Sequence, residues 1–540
     1  MKLFRHILAL IATLYVCASG FAIQRRKVPG ALYQDAPPAC HDNPILWTAF
    51  PVPLTKAALP GTYALNNAVR TGTPECPVVL VDFKDRHFYI QDTLELRKYY
   101  DRFFNDSCFT PNTPSQYKGH LIGPATGCVA EYFRDQSYGK YAPKYNVVGP
   151  IHASQGYAFY GSNDAGTRKL AHEICDSLAA RNVNLSRYSA NGNIDQLVFI
   201  YAGRGENYDG AEVNTIFPQS DTIRNSNGYK SITYACSCEL FWDSDTIIDG
   251  IANICHEICH TLGLPDFYNT VYSDNYNNQS MGYWSLMDYG NYENLGFSPV
   301  GLTAFEKYSL GWMELKEIHT PGYYSLADIS LEPDPDSGTY TAYRINTAQE
   351  NSFIVLENHV RTGWYKYHAS QGLMVTVVRY DYNSWKGKNI NSSRDVTQKR
   401  YHLLPADNNY IRDSNNGDLF PYLDVDSVTT KGKPALMVYR TEPQFSVFDI
   451  KPDGSKVSIL VGKDRESLVK PVTENNVTIT VASNHRMIVS APAGSILTVH
   501  DISGKTILET RITKPEQSIG LPSYGIWIIK CGNTVRKIEI

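Results

Sequence analysis

At 540 residues the chain exceeds what one hydrophobic core usually supports, so several domains are expected. A 43% hydrophobic fraction with 19% charged residues describes an ordinary globular protein, and the net charge of −4 excludes nucleic acid as the main partner, because no basic excess exists to neutralise phosphates.

In chain order, Lys2 and Arg5 precede an apolar run over residues 7–18, followed by the small residues Ala18, Ser19, Gly20 and Ala22. A charged start, a short apolar stretch and a small-residue cleavage zone read as a signal peptide over residues 1–22. The run is too short to anchor the chain comfortably in a bilayer, and no later stretch is long and apolar enough to cross one. The expected location is therefore secreted or at the cell surface, with no transmembrane segment once the signal is removed. Residues 23–73 are rich in Pro, Gly and polar residues and read as a pro-segment or lead-in.

From residue 74 the texture changes. VVLVDF (78–83) and QLVFIYA (196–202) read as buried strands, and LAHEICDSLAAR (170–181) has helical spacing of apolar residues. Strands alternating with helices predict an α/β domain over residues 74–316. Beyond it, β-prone runs at 352–360, 372–379 and 445–460, separated by turns, predict a β-rich domain over 317–465. The last part, 466–540, alternates apolar and polar residues in four short runs and reads as a small β-sandwich.

The chemistry is concentrated in DGIANICHEICHTLGLPDFY, which starts at Asp249. Ile251, Ile254, Ile258 and Leu262 recur at three- and four-residue steps, predicting a buried helix that Gly263 ends. Residues four apart share a helix face, so His256 and His260 can aim imidazole nitrogens at one Zn2+ ion. Gly263 permits a sharp turn that returns Asp266 as a third ligand, leaving a fourth position open for water and a substrate carbonyl. Glu257, beside the first histidine, is placed to act as general base on the activated water. With 14 His in the chain, H-E-x-x-H arises by chance roughly 0.02 times in such a length. Two satisfied core histidines are therefore the weaker reading. Downstream, WSLMDYG (284–290) matches a Met-turn, in which Met287 would form an apolar floor beneath the metal. Tyr289 has two readings: a donor to the tetrahedral oxyanion, or a buried structural tyrosine.

With these motifs the chain resembles the immune inhibitor A-like metalloproteases, a metzincin branch with Asp in place of the usual third His. VVLVDFKD (78–85), VAEYFRDQSYGKY (129–141), NVVGPI (146–151), GYWSLMDYG (282–290), SPVGLTAFEKYSLGW (298–312), FIVLENHVRTGW (353–364) and GDLFP (417–421) fit the family pattern. The resemblance spans roughly residues 74–462. It implies a metzincin-like α/β (α+β) catalytic domain and endopeptidase activity on protein or peptide substrates. By position, it implies metal ligands His256, His260 and Asp266, base Glu257 and Met-turn residue Met287. Structural Ca2+ is a further expectation for a secreted protease of this kind, although no D-x-D-x-D-G loop is present. The C-terminal APAGSILTVHDISGKTILE (491–509) and LPSYGIWIIKCGNTVRKIEI (521–540) resemble the sorting domain of type IX secretion cargo, which implies the type IX secretion machinery as a partner. A generic β-sandwich accessory domain is the other reading of that part.

Export changes how the cysteines read. Setting Cys17 aside leaves ten of the 11, an even set that favours disulfides in an oxidising compartment. Bridges from Cys255 and Cys259 to Cys236 and Cys238 would staple the zinc helix; buried free thiols are the alternative. Cys40 has two readings as well, a zinc ligand that holds a precursor latent or an ordinary disulfide. The rival to a protease is a surface-binding protein that works through its β-rich modules, with the metallo-domain secondary.

Overall fold

The computed structural model describes residues 66 and 68–539 apart from 110–112, 163, 209–213, 269–279, 387–389, 394, 411–415, 466–476, 483–484, 515, 524 and 532–533. The signal peptide, Cys17, Cys40 and the segment up to residue 65 therefore lie outside the described residues. Among those described, no helix is long and apolar enough to cross a membrane.

The first sheet is built on β1 (Glu75–Asp82), which pairs in parallel with β2 (Lys144–His152) on one side and β3 (Asn193–Arg204) on the other. Beyond β3 come β4 (Gln219–Ser226) and β5 (Tyr229–Leu240), in the spatial order β2-β1-β3-β5-β4. Strand β5 is parallel to β3, whereas the edge strand β4 is antiparallel to β5. The hairpin joining them closes on Asn227 and Gly228, both at positive φ (+49° and +80°), as a two-residue mirror-image turn requires.

Side chains alternate across this sheet, as the two-residue period of a strand dictates. Val78, Leu80, Val198 and Ile200 face a core shared with three helices: α1 (Thr93–Asn105), α2 (Val129–Gln136) and α4 (Ala252–Thr261). Val79, Val81, Leu197 and Phe199 face a second core shared with α3 (Asp164–Ala180). Both faces being covered explains why β1 reads as one continuous apolar run rather than an alternating one.

The first core does not stop at the α/β part. It continues through α5 (Ala304–Ser309) into a five-stranded sheet, where Phe353, Val355, Met374, Val378, Tyr401 and Leu403 belong to the same buried cluster. That sheet has the order β11-β10-β9-β8-β6, formed by β6 (Lys316–Glu317), β8 (Ala342–Asn346), β9 (Ser352–His359), β10 (Gly372–Arg379) and β11 (Tyr401–Leu403). Its opposite face packs on β7 (Gly322–Leu326), β12 (Ser446–Asp453) and β13 (Lys456–Gly462), which pair with one another. The last residues build a separate core between a three-stranded and a four-stranded sheet, with Met487, Val489, Leu497, Val499 and Ile529 at its centre. Mixed α/β architecture followed by β-rich structure is thus the observed fold.

The disulfide expectation is corrected here: all nine described cysteines are free thiols, eight of them buried. The sheet itself explains why the proposed staple fails. Cys236 and Cys238, two apart on β5, share one face and enter the core on the α3 side. Cys255 and Cys259 lie in the core on the opposite face. A bridge would have to pass through the sheet, well beyond the reach of a disulfide. Unfolding without reductant in the presence of an alkylating reagent should modify all nine. Peptide mapping by mass spectrometry reads these nine positions, and any of them modified only after reduction would show a bridge.

Candidate metal centre

Helix α4 runs through the interior with Ile254, Cys255, Ile258 and Cys259 essentially without exposure. A buried polar network holds its N-terminal end. The Asp249 carboxylate accepts from the Tyr208 hydroxyl at 2.6 Å, from Asn253 Nδ2 at 2.9 Å and from the Gly250 amide at 2.9 Å. Asn291 Nδ2 donates to Asn253 Oδ1 at 3.0 Å. Burial pushes the Asp249 carboxyl up to about 6, against those hydrogen bonds, which pull it down. At neutral pH a negative group therefore sits at the positive end of the helix dipole.

The helix stops at Gly263, whose φ of +103° is open to glycine but costly for other residues. The Gly263 amide donates to His260 O and the Leu264 amide to Cys259 O, both at 3.0 Å. This is the paired bonding of a Schellman stop. It turns the chain sharply enough to bring Asp266 back over the helix.

Three side chains converge as a result. Asp266 Oδ1 lies 3.2 Å from His256 Nε2 and 3.2 Å from His260 Nε2. Among the described residues this is the one group of three or more His, Cys, Asp or Glu side chains whose ligand atoms come together for a metal ion. His256 Nδ1 lies 2.7 Å from Leu286 O, and His260 Nδ1 lies 2.7 Å from Leu264 O. A carbonyl can only accept, so both Nδ1 atoms carry protons, and in the neutral imidazoles each Nε2 keeps the lone pair that a metal ion would take.

The residues fit zinc. Bonds of about 2.0–2.1 Å at tetrahedral angles place neighbouring ligand atoms about 3.3 Å apart, close to both observed separations. Asp266 Oδ1 is buried without a hydrogen bond of proper geometry, as suits an oxygen reserved for a cation. Electrostatics agree. Burial lowers the His256 imidazole, but the Asp266 and Glu257 carboxylates outweigh it and lift it to about 9. Burial raises the Asp266 carboxyl, yet the two imidazoles hold it far below the usual carboxylate range. The pocket favours positive charge at this point.

Met287 is fully buried beneath the helix, in one cluster with Cys255, Ile258 and Cys259. The backbone of its turn carries as much of the geometry as its side chain. Leu286 O holds the His256 ring, and the next carbonyl, Met287 O, accepts the Phe267 amide at 2.7 Å. One dipeptide thus orients the first histidine and fixes the residue after Asp266. Asp288 Oδ2 in turn accepts the Met281 and Gly282 amides at 2.9 Å each. Glu257 is buried on α4 next to His256. Tyr289 lies in an aromatic cluster with Tyr268 and Tyr283, against which Phe217 and Tyr292 pack.

Sequence reasoning missed the carbonyls of Leu264 and Leu286, since a backbone acceptor leaves no mark in residue identity. It also missed Lys399, which is buried and donates to Ser280 Oγ at 2.9 Å. Burial lowers its ammonium to about 8, with Asp288 opposing.

Replacing Gly263 with Ala forces a Cβ into the left-handed region and should destabilise the protein by about 1–2 kcal/mol. Urea unfolding measures this, and an unchanged midpoint would contradict the strained stop.

Comparison with known proteins finds relatives that share part of this chain. Two curated proteins, each described as pre-pro-metalloprotease PrtV, come from Vibrio cholerae serotype O1 strains M66-2 and ATCC 39315 / El Tor Inaba N16961. Each is 29% identical over 258 residues, covering 42% of this chain and 27% of the relative. The match thus spans about a quarter of those relatives' length. Residues 182–316, which contain α4, Asp266 and Met287, match the family described as immune inhibitor A peptidase M6, catalytic domain.

Proposed function

We propose that the chain is a zinc-dependent endopeptidase that hydrolyses peptide bonds in proteins. The observation that carries this is the convergence of His256 Nε2, His260 Nε2 and Asp266 Oδ1, with both imidazoles locked through Nδ1. The peptidase M6 match over the same residues supports it. His256, His260 and Asp266 are the proposed ligands. Zinc, when bound, supplies Lewis acidity that polarises a scissile carbonyl and acidifies water.

Glu257 is the proposed general base. Adjacent residues on a helix point about 100° apart, so it reaches the space beside the ligand face without competing for the metal. Its carboxylate takes a proton from the attacking water and passes it to the leaving amine. For Tyr289, the proposed role is a hydroxyl donor to the developing oxyanion. Strand β4 is the edge of its sheet and runs beside α4. An extended substrate can add its main chain to such an edge, with alternate side chains reading pockets.

Export by the N-terminal signal, delivery by type IX machinery through the C-terminal residues, and a structural calcium ion complete the proposal as sequence-based elements. The binding-protein alternative is not favoured, since a degenerate metallo-domain would be expected to lack part of the ligand set or Glu257.

The test pairs zinc content with casein cleavage for wild type, Glu257→Ala and Tyr289→Phe. Glu257→Ala should keep stoichiometric zinc and lose about 10²–10⁴-fold in activity. Tyr289→Phe should lower kcat with KM little changed. Zinc bound by a wild type that cleaves no protein would sink the peptidase reading.

A further inference from the structure

Every carbonyl at the C-terminal end of α4 has a donor, and two of those donors come from far away in sequence. Ile258 O accepts the Leu262 amide at 3.1 Å and the Thr261 hydroxyl at 2.7 Å, while Cys259 O and His260 O are taken by the Schellman bonds. Thr261 O and Leu262 O remain, and the local turn offers them no amide. Asn66 Nδ2 donates to Thr261 O at 2.8 Å, and Arg70 Nε donates to Leu262 O at 2.6 Å.

The two distant side chains are themselves locked. Arg70 Nη2 donates to Asn66 Oδ1 at 2.7 Å and also to Asn66 O, and Asn66 Oδ1 accepts the Ala68 amide at 3.1 Å. Arg70 O accepts the indole N–H of buried Trp312 at 2.7 Å. Two residues on, the Gly72 amide donates to Lys140 O at 2.7 Å, and the chain then enters β1. The strap is thus fastened to the protein both at the helix and beyond it.

Its place is decisive. Leu262 lies between His260 and Gly263, and Leu264 O, two residues on, holds the His260 ring. Fixing Thr261 O and Leu262 O therefore fixes the backbone that separates the second ligand from Asp266. A guanidinium at this end also opposes the negative pole of the helix dipole.

We propose that Asn66 and Arg70 are positioning residues of the metal centre and that residues 66–70 are a working part of the active enzyme, so that any removal of the N-terminal segment stops before Asn66. This moves the boundary of the removable segment from residue 73 to a point before 66. The proposal rests on the zinc reading above.

The test uses the full chain with Arg70→Ala and Arg70→Lys. Zinc affinity is read by chelator competition, and urea unfolding of the metal-free protein serves as the control for folding. Removing a side chain that orients the ligand backbone should weaken zinc binding about 10-fold. Arg70→Lys should restore it only in part, because an ammonium lacks the fork that joins Leu262 O to Asn66. The metal-free unfolding transition should move far less. Zinc affinity equal to wild type in Arg70→Ala overturns the proposal. Mass spectrometry of the N-terminal peptide of the active species gives a second reading, independent of any variant's folding. Retention of residues 66–70 is expected, and a fully active species that begins after Arg70 overturns the proposal. Zinc affinity is measured without substrate, so a chain that binds zinc but cleaves nothing refutes the peptidase reading and leaves the strap standing.

Discussion

A helix that ends inside a protein leaves carbonyl groups that water cannot reach, and each needs a donor from somewhere. Helix α4 ends in that way, and the geometry around His256, His260 and Asp266 follows from how the requirement is met. The left-handed Gly263 lets two amides fold back on Cys259 and His260. That same reversal brings the Leu264 carbonyl to the His260 ring and Asp266 to both Nε2 atoms. A stop that ran on for another turn would satisfy the same carbonyls but carry Asp266 away. The local backbone stop and the convergence of His256, His260 and Asp266 are one solution to one constraint.

The second histidine partner, Leu286, ties this helix end to the rest of the molecule. Ser285, next to it, donates its hydroxyl to buried Glu306 on α5, which burial raises to about 7 against several hydrogen bonds. Glu306 also accepts the Thr303 amide at 2.7 Å, and Glu357 of β9 accepts the Ala304 amide at 2.5 Å. The chain of contacts therefore runs from the His256 ring through Leu286, Ser285 and α5 into the β-rich sheet. Trp284 adds a parallel link, its indole donating to Asp418 at 2.7 Å. Buried polar chains of this kind hold one arrangement strongly when they are satisfied. The β-rich region serves as the wall behind residues 284–288, and its removal would expose Phe305 and Trp284 together.

Much of this was legible in the sequence because the relevant signals are local. The apolar spacing of Ile254 and Ile258, the paired histidines and the glycine stop all act within one helix and its turn. The runs at 478–482 and 496–500 were readable as strands for the same reason, since alternation is visible over five residues. What was not legible depends on which face meets which. Bridges from Cys255 and Cys259 to Cys236 and Cys238 read well because they would anchor the helix, yet the sheet lies between their side chains. Strand β4 escaped notice although Asn227-Gly228 marks its hairpin, because Gln219–Ser226 is polar on an edge and lacks the apolar pattern of an interior strand. The pairing of Asn66 and Arg70 with carbonyls nearly 200 residues later could not be read locally.

The same distinction bears on how the molecule divides. Composition changes near residue 316, and a linker between independent domains is the natural reading of such a change. In the folded chain, Trp312 and Met313 before that point and Phe353, Met374 and Tyr401 after it belong to one buried cluster. A boundary in sequence texture is here a change of layer within a shared core. The C-terminal residues differ: Met487, Leu497 and Ile529 close a core of their own that takes no residue from the rest. Texture alone did not separate these two cases, because both regions are β-rich with regular turns. What separates them is where the apolar face of each sheet finds its cover. The five-stranded sheet finds it on α5 and on Trp284, Leu286 and Met287, in the cluster that also holds Ile254 and Ile258 of α4. The terminal sheets cover each other, and among the described residues their core is closed by their own side chains, with strand Thr478–Ala482 touching β7 from outside it.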